Sequence, residues 1–505
     1  MYKLHVTARA WQAGRVAHRH DLVVVGLGSG GIVAADLAAT LGLDVVAVER
    51  DRIGGDCLWT GCVPSKALLA SAKAAHTLRH AAEYGLAAAE PAIDSARVLA
   101  RVRAVQERIA QADDNVERFE DRGVPVVFGD ARLTGPHTVR VGARDLRARH
   151  ILLCTGSRPA LPELPGLREA GCLTSETVWE LERAPASLIV IGGGPIGIEL
   201  AQAFRRLGGE VTVLQRGPRI LPRDEPALVE ILTRRLRAEG IDLVTDARLD
   251  RVAVGPHGAD VVHDRARGEP PVQVGPNGVK VVFGQVGGEP REWRASELLV
   301  ATGRAANVEG LGLDAMGIEV GPQGVVTGAD GRTAVKSVYA VGDLAGRHRF
   351  THSAGYEASR AVRSIAFPGR AGGGFLVPWC TFTDPELAHA GLTEAEARAR
   401  FGEAARTWRM DLSHSDRARA EGAGEGALIL VTGKRGRLVG AHALAPAAGE
   451  LIGEPALAIA RGLKLTDLGR VVHVYPTISI AVQQLGGEAA YARARSLRRL
   501  LRPRG

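Results

Sequence analysis

The 505-residue sequence predicts an α/β protein with two βαβ folds, followed by a C-terminal α+β domain. Two observations predict the repeated fold: a β-branched strand runs into a glycine-rich turn near residue 26, and the same arrangement recurs near residue 192. The third observation is a change beyond about residue 378 to short strands separated by turns, which predicts a separate domain.

The first βαβ unit combines a strand over residues 21–25, an alanine-rich helix over 32–41 and a second strand over 45–48. Gly26, Gly28 and Gly31 occupy the first turn, and Glu49 closes the second strand. Such glycines permit a tight turn, the approach of a pyrophosphate and close helix packing, and the helix N-terminus stabilises the phosphate charge. Glu49 can accept hydrogen bonds from a ribose, so the unit predicts a Rossmann-like dinucleotide site. A flavodoxin-like sheet with an incidental glycine turn is the alternative.

The second unit has strands over residues 187–191 and 211–214, joined by a helix that ends near residue 207. Its turn contains Gly192, Gly194 and Gly197. Gln215 and Arg216 follow the second strand where an NAD site would place an acid, and a cation there suits a 2′-phosphate. We therefore expect NADPH rather than NADH, with Arg219 and Arg223 nearby to assist. Solvated surface arginines are the alternative.

Further elements are predicted between and after the two units. A long helix is expected over residues 97–122 with Ser95 as its cap, and a strand over 151–154 returns to the first sheet. The Gly- and Pro-rich stretch 255–288 predicts a hairpin excursion on the second fold. The last domain contains predicted strands over 381–383, 427–431 and 440–444 and a helix over 449–462.

A cysteine pair lies just beyond the first unit. The chain has five cysteines, an odd number unlike a disulfide scaffold, and Cys57 and Cys62 are five positions apart. Gly61 allows a sharp bend and Pro64 suits the first turn of a helix, so Cys62 is expected at a helix N-terminus, where the dipole favours a thiolate. A zinc site would need two further ligands, and none stands nearby in the sequence, so a redox-active pair is favoured.

Composition narrows the class of protein further. The formal net charge is +8, but arginines are interspersed with acids and aromatic residues make up only 4%, so no nucleic-acid partner is expected. No apolar run is long enough for a membrane span, and residues 1–20 lack the apolar core of a secretion signal. We expect a cytoplasmic protein without membrane contact, with residues 1–20 as a disordered tail.

Together these motifs resemble the FAD-dependent pyridine nucleotide–disulfide oxidoreductases of class I, which include lipoamide dehydrogenase, glutathione reductase and mercuric reductase. Four further stretches carry the resemblance: residues 155–159, 301–304, 333–343 and 382–386. The resemblance implies an FAD-binding domain over 21–166 and 295–372, an NAD(P)-binding domain over 167–294 and a dimerisation domain over 373–505. It also implies a homodimer.

The resemblance also implies roles for individual residues. Cys57 would be the thiol that meets the substrate, and Cys62 the thiol against the flavin. Lys66 would reach the flavin N5 and pair with Glu199. The expected FAD-binding residues are Gly26, Gly28, Gly31, Glu49, Lys66, Thr155, Gly156, Ser157 and Asp343. The expected NADP-binding residues are Gly192, Gly194, Gly197, Glu199, Gln215, Arg216 and Gly303. No bound metal is expected.

The C-terminal motif departs from the family pattern. Tyr475 stands where these reductases carry the His that acts as acid–base catalyst, and Ile480 stands where a Glu orients it. A phenol with a pKa near 10 is a poor base at pH 7. His473 can replace the missing base if this segment is a strand that points residues 473 and 475 the same way; a structural histidine is the alternative. Tyrosine here resembles mercuric reductases, but the chain lacks their C-terminal cysteine pair and an N-terminal CxxC.

The expected function is that of a mercuric reductase-like enzyme. NADPH would pass electrons through FAD to Cys57 and Cys62, and from there to a disulfide, a metal ion or another small oxidant. The alternatives are a dihydrolipoamide dehydrogenase that uses His473 as its base and, in another class, an FAD-bound redox sensor.

Overall fold

The computed structural model describes residues 19–255, 278–367 and 374–501. In chain order its strands are β1 Arg19–Val25, β2 Val45–Glu49, β3 Val126–Phe128, β4 Ala131–Gly135, β5 Thr138–Val141, β6 Arg144–Leu153, β7 Ser157–Pro159, β8 Ser187–Ile191, β9 Glu210–Leu214, β10 Asp242–Val244, β11 Ala247–Val254, β12 Lys280–Val286, β13 Glu289–Ala295, β14 Glu297–Val300, β15 Arg304–Ala306, β16 Val320–Gly321, β17 Gly324–Val325, β18 Val338–Ala340, β19 Trp379–Thr381, β20 Glu386–Gly391, β21 Arg406–Asp411, β22 Ala427–Thr432 and β23 Leu438–Ala445.

The α-helices are α1 Ser29–Thr40, α2 Gly55–Trp59, α3 Cys62–Arg79, α4 Ser95–Ala112, α5 Val116–Glu120, α6 Leu167–Ala170, α7 Pro195–Arg206, α8 Pro226–Ala238, α9 Thr351–Ala366, α10 Glu394–Phe401, α11 Asp416–Ala420, α12 Ala448–Leu451, α13 Gly453–Arg461, α14 Leu465–Leu468 and α15 Ile480–Leu501. Among the described residues, none of these helices combines the length and the apolar character that crossing a bilayer requires.

The chain divides into two compact units. The described residues of the first unit fall within Met1–Cys57, Ala110–Ser157 and Ala305–Gly373. Those of the second fall within Leu58–Ile109, Arg158–Arg304 and Gly374–Gly505.

The first unit is built on a sheet in the order β3-β2-β1-β6-β5-β4, with β18 also paired to β6. β1 lies parallel to both β2 and β6. Its apolar residues Leu22–Val25 are at most 3% exposed, because the sheet is covered on both faces. On one face, small side chains of α1 and α9 pack together, including Ala34, Ala38 and Ala358. The predicted βαβ unit and the returning strand are confirmed.

The second unit contains three sheets. A parallel sheet in the order β10-β9-β8-β14 forms the second βαβ fold. The strands β11, β12 and β13, which come between β10 and β14 in the chain, form an antiparallel sheet. The C-terminal sheet has the antiparallel order β19-β20-β23-β22-β21 and packs with α12, α13 and α15 around a shared apolar core. The predicted α/β class with two Rossmann-like folds and a C-terminal α+β domain is therefore confirmed.

Several predicted boundaries were wrong. The helix expected over 97–122 is two helices, α4 and α5, because Asn115 accepts the Arg118 N–H and starts a new helix. The cap of α4 is Asp94, whose carboxylate accepts the N–H groups of Ala96 and Arg97, rather than Ser95. The helix expected over 449–462 is also divided, into α12 and α13.

Two other expected segments lie partly outside the described residues. Of the tail expected over 1–20, residues 1–18 lie outside, while Arg19 and His20 already belong to β1. Of the hairpin excursion expected over 255–288, residues 256–277 lie outside. The described part, β12 and β13, forms an antiparallel hairpin that continues to residue 295.

Candidate active site

The first glycine turn leaves no room for a side chain at two of its glycines, Gly26 and Gly31. A Cβ on Gly26 would lie 2.6 Å from the Cys154 carbonyl oxygen, and Gly26 has φ +93°. A Cβ on Gly31 would lie 1.8 Å from the Gly26 carbonyl oxygen. A Cβ on Gly28, the N-cap of α1, would lie 3.7 Å from the Gly55 Cα, whereas a Cβ on Gly55 would lie only 2.7 Å from the Gly28 Cα. The turn is thus a backbone cradle whose N–H groups remain close to any phosphate bound at the start of α1.

Glu49 is fixed at this cradle. One carboxylate oxygen accepts the Leu27 N–H at 2.7 Å, and the other accepts the N–H groups of Arg50 and Asp51 at 2.8 and 2.9 Å. The carboxylate is therefore held beside the glycine turn, where it fits a ribose hydroxyl. A dinucleotide such as FAD fits both parts of this site: backbone N–H groups of the glycine turn for its pyrophosphate and the oriented acid for its ribose.

The second part of this site comes from distant segments of the first unit. The Ser157 hydroxyl donates to the Asp343 carboxylate at 2.5 Å, and Asp343 lies in a single 3-10 turn after β18. Thr155 and Asn307 exchange two hydrogen bonds of 2.9 Å. Gly156, which lies between Thr155 and Ser157, has φ +70°. The structure thus brings together Thr155, Ser157 and Asp343, as a shared FAD site requires.

Two residues that support this part were missed from the sequence. Asn307 carries the bonds to Thr155, and the buried Glu357 accepts the Gly342 N–H at 2.8 Å, which holds the turn that contains Asp343. Both are single polar residues outside any glycine motif. Their only sequence signal is proximity to the stretches 301–304 and 333–343.

The cysteines lie on two consecutive short elements. Cys57 is within α2, and Cys62 is the first residue of α3, with Gly61 as the N-cap, as predicted. Both thiols are half-buried, whereas burial raises the pKa of the Cys154 and Cys380 thiols. The Cys62 sulfur thus lies where the helix dipole favours a thiolate, while Cys154 and Cys380 stay protonated.

The loop between the cysteines is held by side chains that the sequence did not indicate. Gln106 of α4 donates to the carbonyl oxygens of Leu58 and Trp59, at 3.2 and 2.7 Å. The Trp179 indole donates to the Thr60 carbonyl oxygen at 2.8 Å. These bonds satisfy the backbone of a sharp turn and fix where α3 begins.

Lys66 and Glu199 form the expected pair, with 2.8 Å between Nζ and Oε2. Glu199 is only 5% exposed, and its other carboxylate oxygen accepts the Phe382 N–H at 2.8 Å. The Phe382 ring centroid lies 4.3 Å from Lys66 Nζ, within cation–π distance. The ammonium therefore has a buried carboxylate and an aromatic face as partners, and Phe382 is a further residue of this site.

The second glycine turn has the same backbone geometry as the first. A Cβ on Gly192 would lie 2.5 Å from the Ala301 carbonyl oxygen, and one on Gly197 would lie 2.1 Å from the Gly192 carbonyl oxygen. Gly194 is the N-cap of α7, and Gly303, beyond β14, has φ +156°. The turn therefore fits the pyrophosphate of a second dinucleotide.

The polar side chains that follow β9 differ in the partners they contact. The Gln215 side chain accepts the Gly193 N–H at 2.9 Å and is part of the turn itself. Arg219 donates to the Pro222 carbonyl oxygen, and Arg223 lies 5.0 Å from the Trp379 ring centroid. Arg216 is exposed and makes no hydrogen bond or ion pair with any described residue. Of the three arginines, Arg216 is the one whose charge is not already engaged.

The C-terminal segment differs from the expected strand. Residues 472–477 form an irregular loop that precedes α15, where Ile480 is the first residue. Pro476 lacks an N–H for a ladder, and the segment has no strand partner among the described residues. The expectation that alternation along a strand points residues 473 and 475 the same way was therefore wrong.

His473 and Tyr475 have separate partners. The His473 Nε2 bonds to the Glu454 carboxylate at 2.8 Å and its Nδ1 to the Val471 carbonyl oxygen at 3.0 Å. Burial works against a charged ring, but these two acceptors raise the pKa of His473 above its usual value. Tyr475 is 65% exposed, and its hydroxyl donates to Asp416 at 3.0 Å, which raises the pKa of the phenol.

Among the residues that the structure describes, no group of three or more His, Cys, Asp or Glu side chains is placed to hold a metal ion.

Comparison with known proteins places these features in context. The profile of the pyridine nucleotide-disulphide oxidoreductases matches residues 20–358, and that of their dimerisation domain matches residues 377–485. A dihydrolipoyl dehydrogenase of Chlorobaculum tepidum is 34% identical over 491 residues, covering 95% of this chain and 98% of the relative. A mercuric reductase of Streptomyces lividans is 34% identical over 474 residues, covering 92% and 95%.

The fold is also found among solved structures. The HOCl-induced flavoprotein disulfide reductase RclA from Escherichia coli superposes with a TM-score of 0.77 at 23% sequence identity, covering 93% of this chain and 99% of that chain. At this identity the likeness supports the fold alone.

The glycine cradle gives a direct test of the FAD site. Gly31→Ala should greatly reduce FAD binding, because its Cβ would collide with the Gly26 carbonyl oxygen. The neighbouring Gly30→Ala is the matched control, since its Cβ would meet nothing closer than 3.5 Å. The flavin absorbance per purified chain measures both, with circular dichroism as a check on folding. Full FAD content in folded Gly31→Ala would contradict this assignment.

Proposed function

The chain belongs to the pyridine nucleotide-disulphide oxidoreductases, and from that membership we propose an NADPH-driven reductase whose Cys57 and Cys62 form the redox-active pair. It is an FAD-dependent enzyme of a family that acts on sulfur groups and uses a nicotinamide nucleotide. The observation that carries the proposal is Cys62 at the first position of α3, one turn before Lys66 and its buried carboxylate partner Glu199.

The residues of the chain have distinct tasks in this proposal. FAD, held by the first glycine turn, Glu49 and Asp343, would supply two-electron transfer between the nicotinamide and the disulfide of Cys57 and Cys62. The N-terminus of α3 stabilises the Cys62 thiolate that reduction produces. The positive charge of Lys66 would stabilise the reduced, anionic flavin, and Glu199 keeps the Lys66 ammonium in one place. The Cys57 sulfur is then the nucleophile that reacts with the acceptor.

We propose that the acceptor is a disulfide, a metal ion or another small oxidant that needs no proton relay from position 475. The Tyr475 hydroxyl donates a hydrogen bond to Asp416, and the raised pKa of the phenol leaves still less phenolate to act as a base near pH 7. Relatives named mercuric reductase support a metal ion among these acceptors. The enzyme class does not depend on this choice.

A dihydrolipoamide dehydrogenase is the second candidate, favoured by relatives of that name at 34% identity. It would require His473 as the base. Both partners of the His473 ring are acceptors, which favours the doubly protonated ring over the neutral ring that a base needs. This makes the candidate the weaker of the two.

We further propose a homodimer. The matched dimerisation domain supports it, and so does a cluster of exposed apolar side chains in the C-terminal loop: Val471, Val472, Val474 and Tyr475 are 49%, 89%, 75% and 65% exposed. Such a patch is typical of a surface that a partner covers. Sedimentation at assay concentration tests this, and an active monomer would refute it.

Thiol labelling tests the redox pair. After reduction by NADPH, an alkylating reagent should label Cys57 and Cys62, while the protonated thiols of Cys154 and Cys380 should stay unmodified. Cys57→Ser should abolish turnover with every acceptor yet leave reduction of the flavin by NADPH in place. Cys172→Ser serves as the control and should keep turnover. Undiminished turnover in Cys57→Ser would overturn the proposal.

Arg216 tests the choice of nucleotide. Arg216→Glu should shift the ratio of kcat/KM for NADPH and NADH toward NADH by about 10- to 100-fold, the worth of one charge-assisted hydrogen bond. The matched control is Arg219→Glu, because Arg219 is already engaged with the Pro222 carbonyl oxygen. Equal ratios in the Arg216→Glu variant and the unmodified enzyme would show that Arg216 does not contact the nucleotide.

Positions 475 and 480 test the missing base. General acid–base catalysis contributes about 10²–10⁴-fold, so turnover of dihydrolipoamide should be slower than in an ordinary lipoamide dehydrogenase by that order. Tyr475→His with Ile480→Glu should raise this turnover more than either change alone, since a Glu can orient only a His that is present. Fast dihydrolipoamide turnover in the unmodified enzyme, lost in His473→Ala, would make His473 the base instead.

A further inference from the structure

One face of α7 holds the segment that follows β19. Glu199, Gln202 and Arg206 lie at positions i, i+3 and i+7 of this helix and therefore share a face. Glu199 accepts the Phe382 N–H at 2.8 Å, and Gln202 accepts the Asp384 N–H at 2.8 Å. Phe382 and Asp384 are thus both hydrogen-bonded to one helix face, on either side of Thr383.

Gln202 is the central member of this contact. Its side chain is 0% exposed, and besides accepting the Asp384 N–H it donates its amide to the Asp384 carbonyl oxygen at 3.0 Å. This paired arrangement fixes the segment in the same way as a neighbouring strand would. Arg206 adds a bond of 2.9 Å to the Asp384 carboxylate from the next turn of the helix.

The held segment carries a group that acts on Lys66. The Phe382 ring lies 4.3 Å from Lys66 Nζ, and the Phe382 N–H occupies the Glu199 oxygen that does not bind Lys66. If the segment moved, the ammonium would lose an aromatic face, and the buried carboxylate would lose the bond that fixes its orientation. The hydrogen bonds of the Gln202 side chain go to Asp384 and Glu239, and none goes to Lys66.

We infer that Gln202 is a positioning residue for the reduction of the flavin. By holding residues 382–384 it keeps Phe382 and Glu199 in the arrangement that places the Lys66 ammonium. The inference rests on the proposed role of Lys66. Misplacing a group by about 1 Å can cost up to about 10²-fold in rate, so the effect is measurable although Gln202 is remote from the chemistry.

The test uses the FAD-loaded enzyme and the near-isosteric Gln202→Met. Flavin reduction by NADPH, followed by stopped-flow absorbance, should slow by about 10- to 100-fold. The apparent Kd for NADPH should stay unchanged, and the flavin midpoint potential should become more negative. Gln202→Asn, which keeps the amide but withdraws it, should give a smaller effect in the same direction and serves if Gln202→Met does not fold.

A control on the same helix separates positioning from general destabilisation. Arg205 donates to the carbonyl oxygens of Glu239 and Gly209 but makes no bond to residues 382–384. Arg205→Met should lower thermal stability without slowing flavin reduction. Hydrogen exchange provides a readout independent of activity: the amides of Phe382 and Asp384 should lose protection in Gln202→Met and keep it in Arg205→Met.

A double-mutant cycle with Lys66 distinguishes a failure of the inference about Gln202 from a failure of the proposed role of Lys66. If Gln202 acts through Lys66, then Gln202→Met should add little to the slowing that Lys66→Met already causes. Additive effects, or normal flavin reduction in a folded Gln202→Met enzyme, would overturn the inference while leaving the proposed function intact. Normal flavin reduction in Lys66→Met would instead refute the role of Lys66 on which the inference rests.

Discussion

In the second unit, the relative placement of α3, α7 and the segment after β19 depends on the buried carboxylate of Glu199. Removing a carboxylate from water is costly unless each oxygen finds a strong partner, and here Lys66 satisfies one oxygen and the Phe382 N–H the other. These bonds join α3, α7 and the segment after β19. Because losing either partner would leave a buried carboxylate oxygen without a hydrogen bond, the carboxylate favours one arrangement of three distant parts of the chain. The cysteine-bearing start of α3 is thereby tied to both the nucleotide fold and the C-terminal sheet.

The features that the sequence predicted well are those specified locally. At Gly31 and Gly197 a Cβ would lie 1.8 and 2.1 Å from the carbonyl oxygens of Gly26 and Gly192, five positions earlier, so the local backbone admits only glycine and the motif can be read directly. Cys62 at the start of α3 follows from the bend at Gly61 and from Pro64. In each case the constraint acts over a few residues, and the sequence pattern contains all of it.

The features that the sequence missed depend on contacts between distant residues. Gln106, Gln202, Asn307 and Glu357 are single polar residues within ordinary helices or loops, and only the fold shows which backbone groups they satisfy. Helix 97–122 was predicted as one element because periodicity continues across Asn115, whose side chain ends that continuity by capping the next helix. The condition that residues 473 and 475 share one side of a strand also failed, because residues 472–477 form a loop in which Val472, Val474 and Tyr475 are exposed.

His473 shows how a residue of the right type can be in the wrong state for a task. Its pairing with Glu454 resembles the His–Glu pair of the family, yet its other ring nitrogen faces the Val471 carbonyl oxygen. With acceptors on both sides the ring is stabilised as an imidazolium, consistent with its raised pKa. A base must first be unprotonated, and both contacts that hold the ring in place favour its protonated form. The same contacts that fix His473 in the C-terminal loop therefore work against the neutral ring that a proton acceptor needs, which is the physical basis for proposing acceptors that a thiolate reduces without a base.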